Sequence, residues 1–502
     1  MDSTEFREFG KAAVDFIADY FDTIRDRDVL PSIKPGYLRP LVQSEVPQQG
    51  EKWQDILKDM DRVILPGITH WHSPNFHAYY PTANSYPAIV GEMMSAGLGV
   101  VGFNWIASPA CTELEVVMMD WLGKLLELPK EFLNESEGPG GGVIQGSASE
   151  ATLIGLLAAK ERVVRRLMAG NSNMTESEIK GKLVAYSSDQ SNSSVEKAGL
   201  IGSMIMRLLP SDDKGRLTGK ILTEAIEKDK KSGLIPCYVI ATLGTTPTCA
   251  FDDLQELGTI CNEGDIWMHV DAAYAGAAFT CPEYRYLMKG VEMAESFNFN
   301  PHKWLLVNFD CSALWVKNAK YLVEAFNVER IYLQHKHTGV APDYLHWQIP
   351  LGRKFRSLKI WFTMRTYGVE GIQKHIRGHI ELAKYFESLV KQDERFEVTT
   401  SSLGLVCFRL HGDNNLTQLL HDKLNNNKKI FTVPCKFRNK FVIRFVITSR
   451  LTEHSDIDFA WKEITSLTEQ IVSSPCLSKQ KISHIQEMNS CEKVNGRVEK
   501  SK

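Results

Sequence analysis

The chain has 502 residues, of which 43% are hydrophobic and 24% charged, an ordinary globular composition that excludes wholesale disorder and provides for a sizeable core. The 58 Lys and Arg against 61 Asp and Glu leave a formal charge of −3, which excludes a nucleic-acid binder resting on bulk basicity. The polar, acidic N-terminus and the lack of a long apolar run argue against a secretory signal and a membrane span. The ten cysteines are scattered without a CxxC pair or metal-ligand spacing, and read as reduced thiols of a cytoplasmic protein with no metal site.

In chain order, the apolar spacing from Phe6 to Ile24 predicts an amphipathic helix, and prolines from Pro31 to Pro87 then interrupt regular structure. Residues 1–85 cannot make a core of their own, so they are expected to pack elsewhere, on a second copy of the chain in a homodimer. From about residue 86 the pattern alternates helical stretches with short apolar runs such as Leu183–Tyr186, Cys237–Ala241 and Ile266–Val270. Such runs suit strands buried on both faces of a largely parallel sheet, so residues 86–365 are expected to form a large α/β domain. A helical stretch from Ile372 to Val390, followed by strand-like Gly404–Leu410 and Phe441–Ile447, gives a small α+β domain over 366–472. Residues 473–502 are poor in apolar side chains and read as a disordered tail.

Three segments carry chemistry. In Asn300-Pro301-His302-Lys303-Trp304 a lysine precedes an apolar run; burial would free its neutral amine as an imine-forming nucleophile, although a lysine in such a setting can also be a snorkelling surface residue. Asp271 ends an apolar strand before Ala272 and Ala273, where open α/β sheets place ligands, or else caps the next helix. Together they favour pyridoxal phosphate, which needs a lysine for the imine and an acid for its ring nitrogen. The glycine-rich Gly138 to Gly146, with Ser147, Ala148 and Ser149 opening a helix, suits a phosphate; a dinucleotide loop and a flexible surface loop are the other readings. No strand is expected just before these glycines, at Glu135–Pro139.

These residues, together with His70-Trp71-His72-Ser73-Pro74, Ser108 to Glu115, Gly146 to Ala151 and His346 to Pro350, resemble the motifs of group II pyridoxal-phosphate decarboxylases, near the aromatic L-amino acid decarboxylases. The resemblance implies an aspartate aminotransferase-like large domain of fold type I. It implies that Lys303 binds the cofactor covalently and that Asp271 pairs with the ring nitrogen. Ser147, Ala148, Ser149, Asn300 and His302 would surround the phosphate, with Thr246 and Ala273 near the ring. Trp71, Tyr79, Tyr80, Pro81, Thr82, Val101 and Phe103 would form the aromatic substrate pocket, part of it lent by the partner subunit. Tyr332 matches the tyrosine of the family's mobile loop, which protonates the α-carbon after carbon dioxide leaves. From local sequence alone it reads as an apolar helix residue.

Asn192 departs from the family pattern, in which histidine stacks on the cofactor ring. An amide lacks a nitrogen that titrates near neutral pH. If protonation of the carbanion is slowed, it can reduce dioxygen, giving an aldehyde, ammonia and hydrogen peroxide. Asn192 within Asp189-Gln190-Ser191-Asn192-Ser193 resembles the insect 3,4-dihydroxyphenylacetaldehyde synthases, which do this with L-dopa and are tied to cuticle cross-linking. Tyr80, where decarboxylases usually have phenylalanine, points the same way, whereas Tyr332 fits plain decarboxylation to the amine. Tyr80 and Thr82 are expected to offer hydroxyls to a catechol ring.

Overall fold

The computed structural model describes residues 1–170, 174–328, 330–333, 336–337 and 341–473. The opening helix, Ser3–Asp22, begins with a capping box between Asp2 and Glu5. It buries only Phe21 and leaves Phe6 66% exposed and Val14 48% exposed, so within one chain the apolar face of this helix is largely uncovered. The expected tail after Val472 lies outside the described residues from 474 on. No helix among the described residues is long and apolar enough to cross a membrane.

The large sheet has seven strands: β1 (Gly141–Gln145), β2 (Leu183–Ser188), β3 (Ile205–Leu209), β4 (Ile235–Thr242), β5 (Trp267–Asp271), β6 (Ser296–Phe299) and β7 (Ser312–Val316). Their order is β1-β7-β6-β5-β4-β2-β3. Only β7 is antiparallel to its neighbours, so the other six strands point one way and present their carboxyl ends along one edge. Strands β1, β2, β5, β6 and β7 are buried at every residue, as continuous apolar runs covered by helices on both faces require.

The glycine-rich segment itself contains strand β1, which the sequence did not announce. The reason is packing: a Cβ on Gly142 would lie 2.6 Å from Met119 Cε and 2.8 Å from the Trp315 ring. The helix Pro109–Leu126 therefore approaches β1 too closely for any side chain at that position.

The small sheet is antiparallel, in the order β10-β11-β9-β8, built from β8 (Phe396–Ser402), β9 (Leu405–Leu410), β10 (Val433–Phe437) and β11 (Lys440–Val446). It is reached through the helix Ser357–Gln392, whose two halves meet at Gly368, φ 62° and ψ −180°, an angle pair suited to glycine. The segment before residue 86 threads between the two sheets. The His77 amide donates to Phe431 O at 2.9 Å and its carbonyl accepts from the Val446 amide at 3.1 Å. A few residues on, the Ala83 amide donates to His302 O at 2.7 Å. Residues 79–82 are thus suspended between the small sheet and the lysine turn.

Candidate active site

The turns that leave β1, β2, β4, β5 and β6 at the carboxyl edge of the large sheet contribute to one region. Strand β6 ends at Phe299, and Asn300 opens the short turn Pro301–Trp304 that carries Lys303. Trp304, Leu305 and Val307 behind it are buried, so the amine faces the sheet edge and lies 5.8 Å from the Tyr80 ring centroid. Burial pulls the Lys303 pKa below its ordinary value, opposed by the attraction of Asp271. Asp271, at the end of β5, accepts the Ala273 amide on Oδ1 at 3.0 Å, and its pKa is raised by burial and lowered by Lys303. The two bulky residues Tyr79 (φ 56°) and Leu306 (φ 62°) adopt left-handed backbone beside the site, a conformation that costs energy and persists where packing imposes it.

Ser147, Ala148, Ser149, Asn192, Thr246, Asp271, Ala273, Asn300, His302 and Lys303 line one cavity of about 240 Å³, with Thr242, Gly244, Ser194, Tyr80 and Tyr274. All the residues marked from sequence for the cofactor meet there. At one end Ser147 caps the helix Ala148–Ala169 and accepts the Glu150 amide, so free amides and two serine hydroxyls face the cavity, a cradle for a phosphate. Towards the other end stand the Asp271 carboxyl and the Lys303 amine. Gly244, at φ 86°, has room for no Cβ, which would sit 2.7 Å from Ala275 Cβ. A flat ring between a phosphate and a carboxylate, joined to a lysine, fits this donor set, and pyridoxal phosphate is such a group. His302 is held neutral, its pKa pushed down to about 3 by burial and by Lys303; the Cys311 amide donates to Nδ1 at 2.7 Å, and Nε2 lies 3.2 Å from Asn300 Nδ2.

A wider cavity of about 680 Å³ opens from the same residues and is lined by Trp71, His72, Tyr79, Tyr80, Pro81, Thr82, Asn192, Thr246, His302, Lys303, Phe309 and Arg444. Five of the residues marked for substrate are here. Val101 and Phe103 are not: Val101 is 49% exposed, and Phe103 bonds through its carbonyl to the Leu345 amide. The Tyr80 hydroxyl does not face the cavity either; it donates to Thr245 O at 2.8 Å, while its ring stacks on Tyr274 at 3.8 Å between centroids. The expectation that this hydroxyl meets a substrate ring is therefore corrected, because a buried hydroxyl takes the backbone acceptor within reach.

Asn192 stands where the two cavities join. Its Nδ2 donates to Thr246 Oγ1 at 3.0 Å and its Oδ1 accepts the Ser194 amide at 2.9 Å, so both ends of the amide are engaged. Tyr332 lies in the short turn Ile331–Leu333, and its side chain is outside the described residues.

Sequence reading passed over Arg444, Phe309 and Tyr274. Arg444 projects from β11 over Tyr80, with its guanidinium 5.1 Å from the ring centroid, and donates from Nε to Pro247 O at 3.0 Å. Its Nη2 is buried and has no hydrogen-bond partner among the described residues. The one local signal was an arginine inside the apolar run Phe441–Ile447.

The pyridoxal-dependent decarboxylase conserved domain matches residues 35–411. The chain is 57% identical over 475 residues to the aromatic-L-amino-acid decarboxylase of Mus musculus, covering 94% of this chain and 99% of the relative. It is equally 57% identical over 474 residues to the 3,4-dihydroxyphenylacetaldehyde synthase of Aedes aegypti, covering 94% and 91%. The crystal structure of Oryza sativa TDC with PLP and tryptamine superposes with a TM-score of 0.90 at 36% identity, covering 94% of this chain and 99% of that one. The chain belongs to the pyridoxal-phosphate-dependent aromatic amino acid decarboxylases, in a fold of type I.

Proposed function

We propose that the protein converts L-dopa, dioxygen and water to 3,4-dihydroxyphenylacetaldehyde, carbon dioxide, ammonia and hydrogen peroxide. The observation that carries this reading is the Asn192 amide, fixed at both ends between the cofactor and substrate cavities. Pyridoxal phosphate, when bound, supplies the electron sink for the charge left as carbon dioxide departs. Lys303 would hold it covalently, Asp271 would keep the proton on its ring nitrogen, and the amides and hydroxyls of Ser147, Ala148 and Ser149, with Asn300 and His302, would hold its phosphate. Thr246 and Ala273 border the ring.

Asn192 can orient the substrate but has no proton to deliver to the α-carbon near neutral pH, because an amide does not titrate there. His302 is deprotonated over the same range. With no proton delivered at the α-carbon, the electron pair left as carbon dioxide departs would be available to dioxygen, and the balance of the proposed reaction, with water taken up, is peroxide, ammonia and the aldehyde. Trp71, Tyr79, Pro81 and the face of Tyr80 enclose the aromatic ring, and the Thr82 hydroxyl is the group left to receive a catechol. The homodimer completes the pocket, with Val101 and Phe103 of the partner subunit closing the open side. Exposed Leu98 and Ile106 beside them give that surface an apolar character suited to a second copy.

The 57% identity to the mouse enzyme supports a second reading, decarboxylation to dopamine, in which Tyr332 returns a proton to the α-carbon. Oxygen uptake with L-dopa separates the two. One dioxygen consumed and one peroxide formed per carbon dioxide, with aldehyde as the main product, supports the synthase. Stoichiometric dopamine without oxygen demand overturns it.

A further inference from the structure

The loop after β4 carries Thr246 into the cavity, and three consecutive carbonyl or hydroxyl oxygens on it are each taken by a donor from a different part of the chain. Tyr80 donates to Thr245 O, Asn192 to Thr246 Oγ1, and Arg444 to Pro247 O. The Pro247 carbonyl receives two more donors: Cys407 Sγ and Cys435 Sγ each lie 3.6 Å from it. This convergence follows from the register of the small sheet. Cys407 on β9 stands opposite Arg444 on β11, and Cys435 on β10 stands opposite Val442. Residues two apart on a strand share a face, so both thiols and the guanidinium rise from the same side of the sheet towards one carbonyl. Cys407 is buried and Cys435 half-buried, so neither is placed as a surface thiol.

We propose that Cys407 and Cys435 are positioning residues: with Arg444 they clamp the Pro247 carbonyl and thereby hold Thr246 where its hydroxyl fixes the amide of Asn192. The proposal deepens the functional reading above and rests on it only where product distribution is concerned. The small domain then acts on the reaction without touching substrate. A thiol is a weak donor, but two of them on a carbonyl already held by a guanidinium favour one position of the loop over its alternatives.

The test compares C407A/C435A with C407S/C435S in the holoenzyme. Serine keeps an O–H for the carbonyl at nearly the volume of cysteine, whereas alanine removes the donor. With L-dopa, the alanine pair is expected to lower the aldehyde-to-amine ratio by about threefold, the effect of losing weak hydrogen bonds, and the serine pair to keep the wild-type ratio. Hydrogen–deuterium exchange supplies the readout independent of turnover. The amides of Gly244, Thr245, Cys249 and Ala250 bond within the loop and should exchange faster in the alanine pair, while those of β2 and β5 do not change. Cys435→Ala alone, at the half-buried position, keeps the test available should the double variant not fold; it must shift exchange in the same direction by less.

Unchanged exchange in the alanine pair, or equal loss in the serine and alanine pairs, overturns the clamp, the latter because it shows packing rather than hydrogen bonding. If the wild-type protein makes only dopamine, the assignment of Asn192 fails, and exchange alone still decides whether the thiols hold the loop.

Discussion

Replacing Asn192 with histidine tests the functional reading most directly, and the structure sets the size of the effect. The substitution removes the Nδ2 donor to Thr246 Oγ1, while the ring can still accept from the Ser194 amide. A lost hydrogen bond of this kind costs about 1 kcal/mol, close to fivefold in a rate it supports. Against that, a titratable nitrogen beside the reacting carbon supplies general acid catalysis, worth ~10²–10⁴-fold. The gain exceeds the loss, so the amine-to-aldehyde ratio should rise by about 20-fold or more. The assay follows oxygen with an electrode while dopamine, aldehyde, peroxide and carbon dioxide are quantified from the same reaction. The ratio in Asn192→His should also fall as pH climbs past the imidazole range near ~6.5, whereas the wild-type ratio has no titrating group at that position and should not follow this curve. An unchanged ratio would refute the reasoning, because the two proteins would then differ in proton supply without differing in product.

Lys303→Ala should bring turnover to background and remove the visible absorption of covalently held cofactor; retention of that band would place the imine on another lysine. Tyr332→Phe should suppress whatever amine forms while sparing aldehyde, and equal loss of both would assign the loop tyrosine to closure of the site. Burial pushes His72 and His379 down to about 4 and His77, His269 and His302 down to about 3, so unfolding takes up protons at these five positions below pH ~6.5. Their stability contribution is present above that pH and lost as pH falls towards the folded values, by up to ~1.4 kcal/mol per pH unit for each, large against a typical total of ~5–15 kcal/mol. A thermal midpoint that holds steady between pH 7 and 5 would contradict this. Gly142→Ala should cost ~1–3 kcal/mol by forcing a methyl onto Met119 and Trp315, read as a lowered midpoint with the fold retained.

How far the site could be read from sequence depended on the range of the interaction involved. The lysine turn, Asp271 and the serine cap were legible because each is a local signal: an unusual polar residue at the end of an apolar strand, or a cap before a helix. The ten residues marked from sequence for the cofactor do converge on one cavity. Arg444 was not legible, since its acceptor Pro247 lies in a distant part of the chain and only the small-sheet register turns it towards the site. Tyr80 was legible as a pocket residue but not in orientation, because its hydroxyl is claimed by a backbone carbonyl that folding brings to it. Strand β1 was hidden because glycine lowers strand propensity, yet Gly142 is what close packing of the helix Pro109–Leu126 demands.

Strand order was the deepest of the unread features, and the chemistry depends on it. In a wholly parallel arrangement β1 could lie anywhere in the sheet; here antiparallel β7 separates it from β6 and restores its direction to that of β4, β5 and β6. The end of β1 therefore delivers the Ser147 cap to the same edge as Asp271 and Lys303, with one strand between it and the lysine turn. Inverting β1 would leave every motif intact in the sequence and put the phosphate cradle on the wrong side of the sheet. The motifs name the candidate groups, and the shared direction of β1, β2, β4, β5 and β6 brings them to one edge.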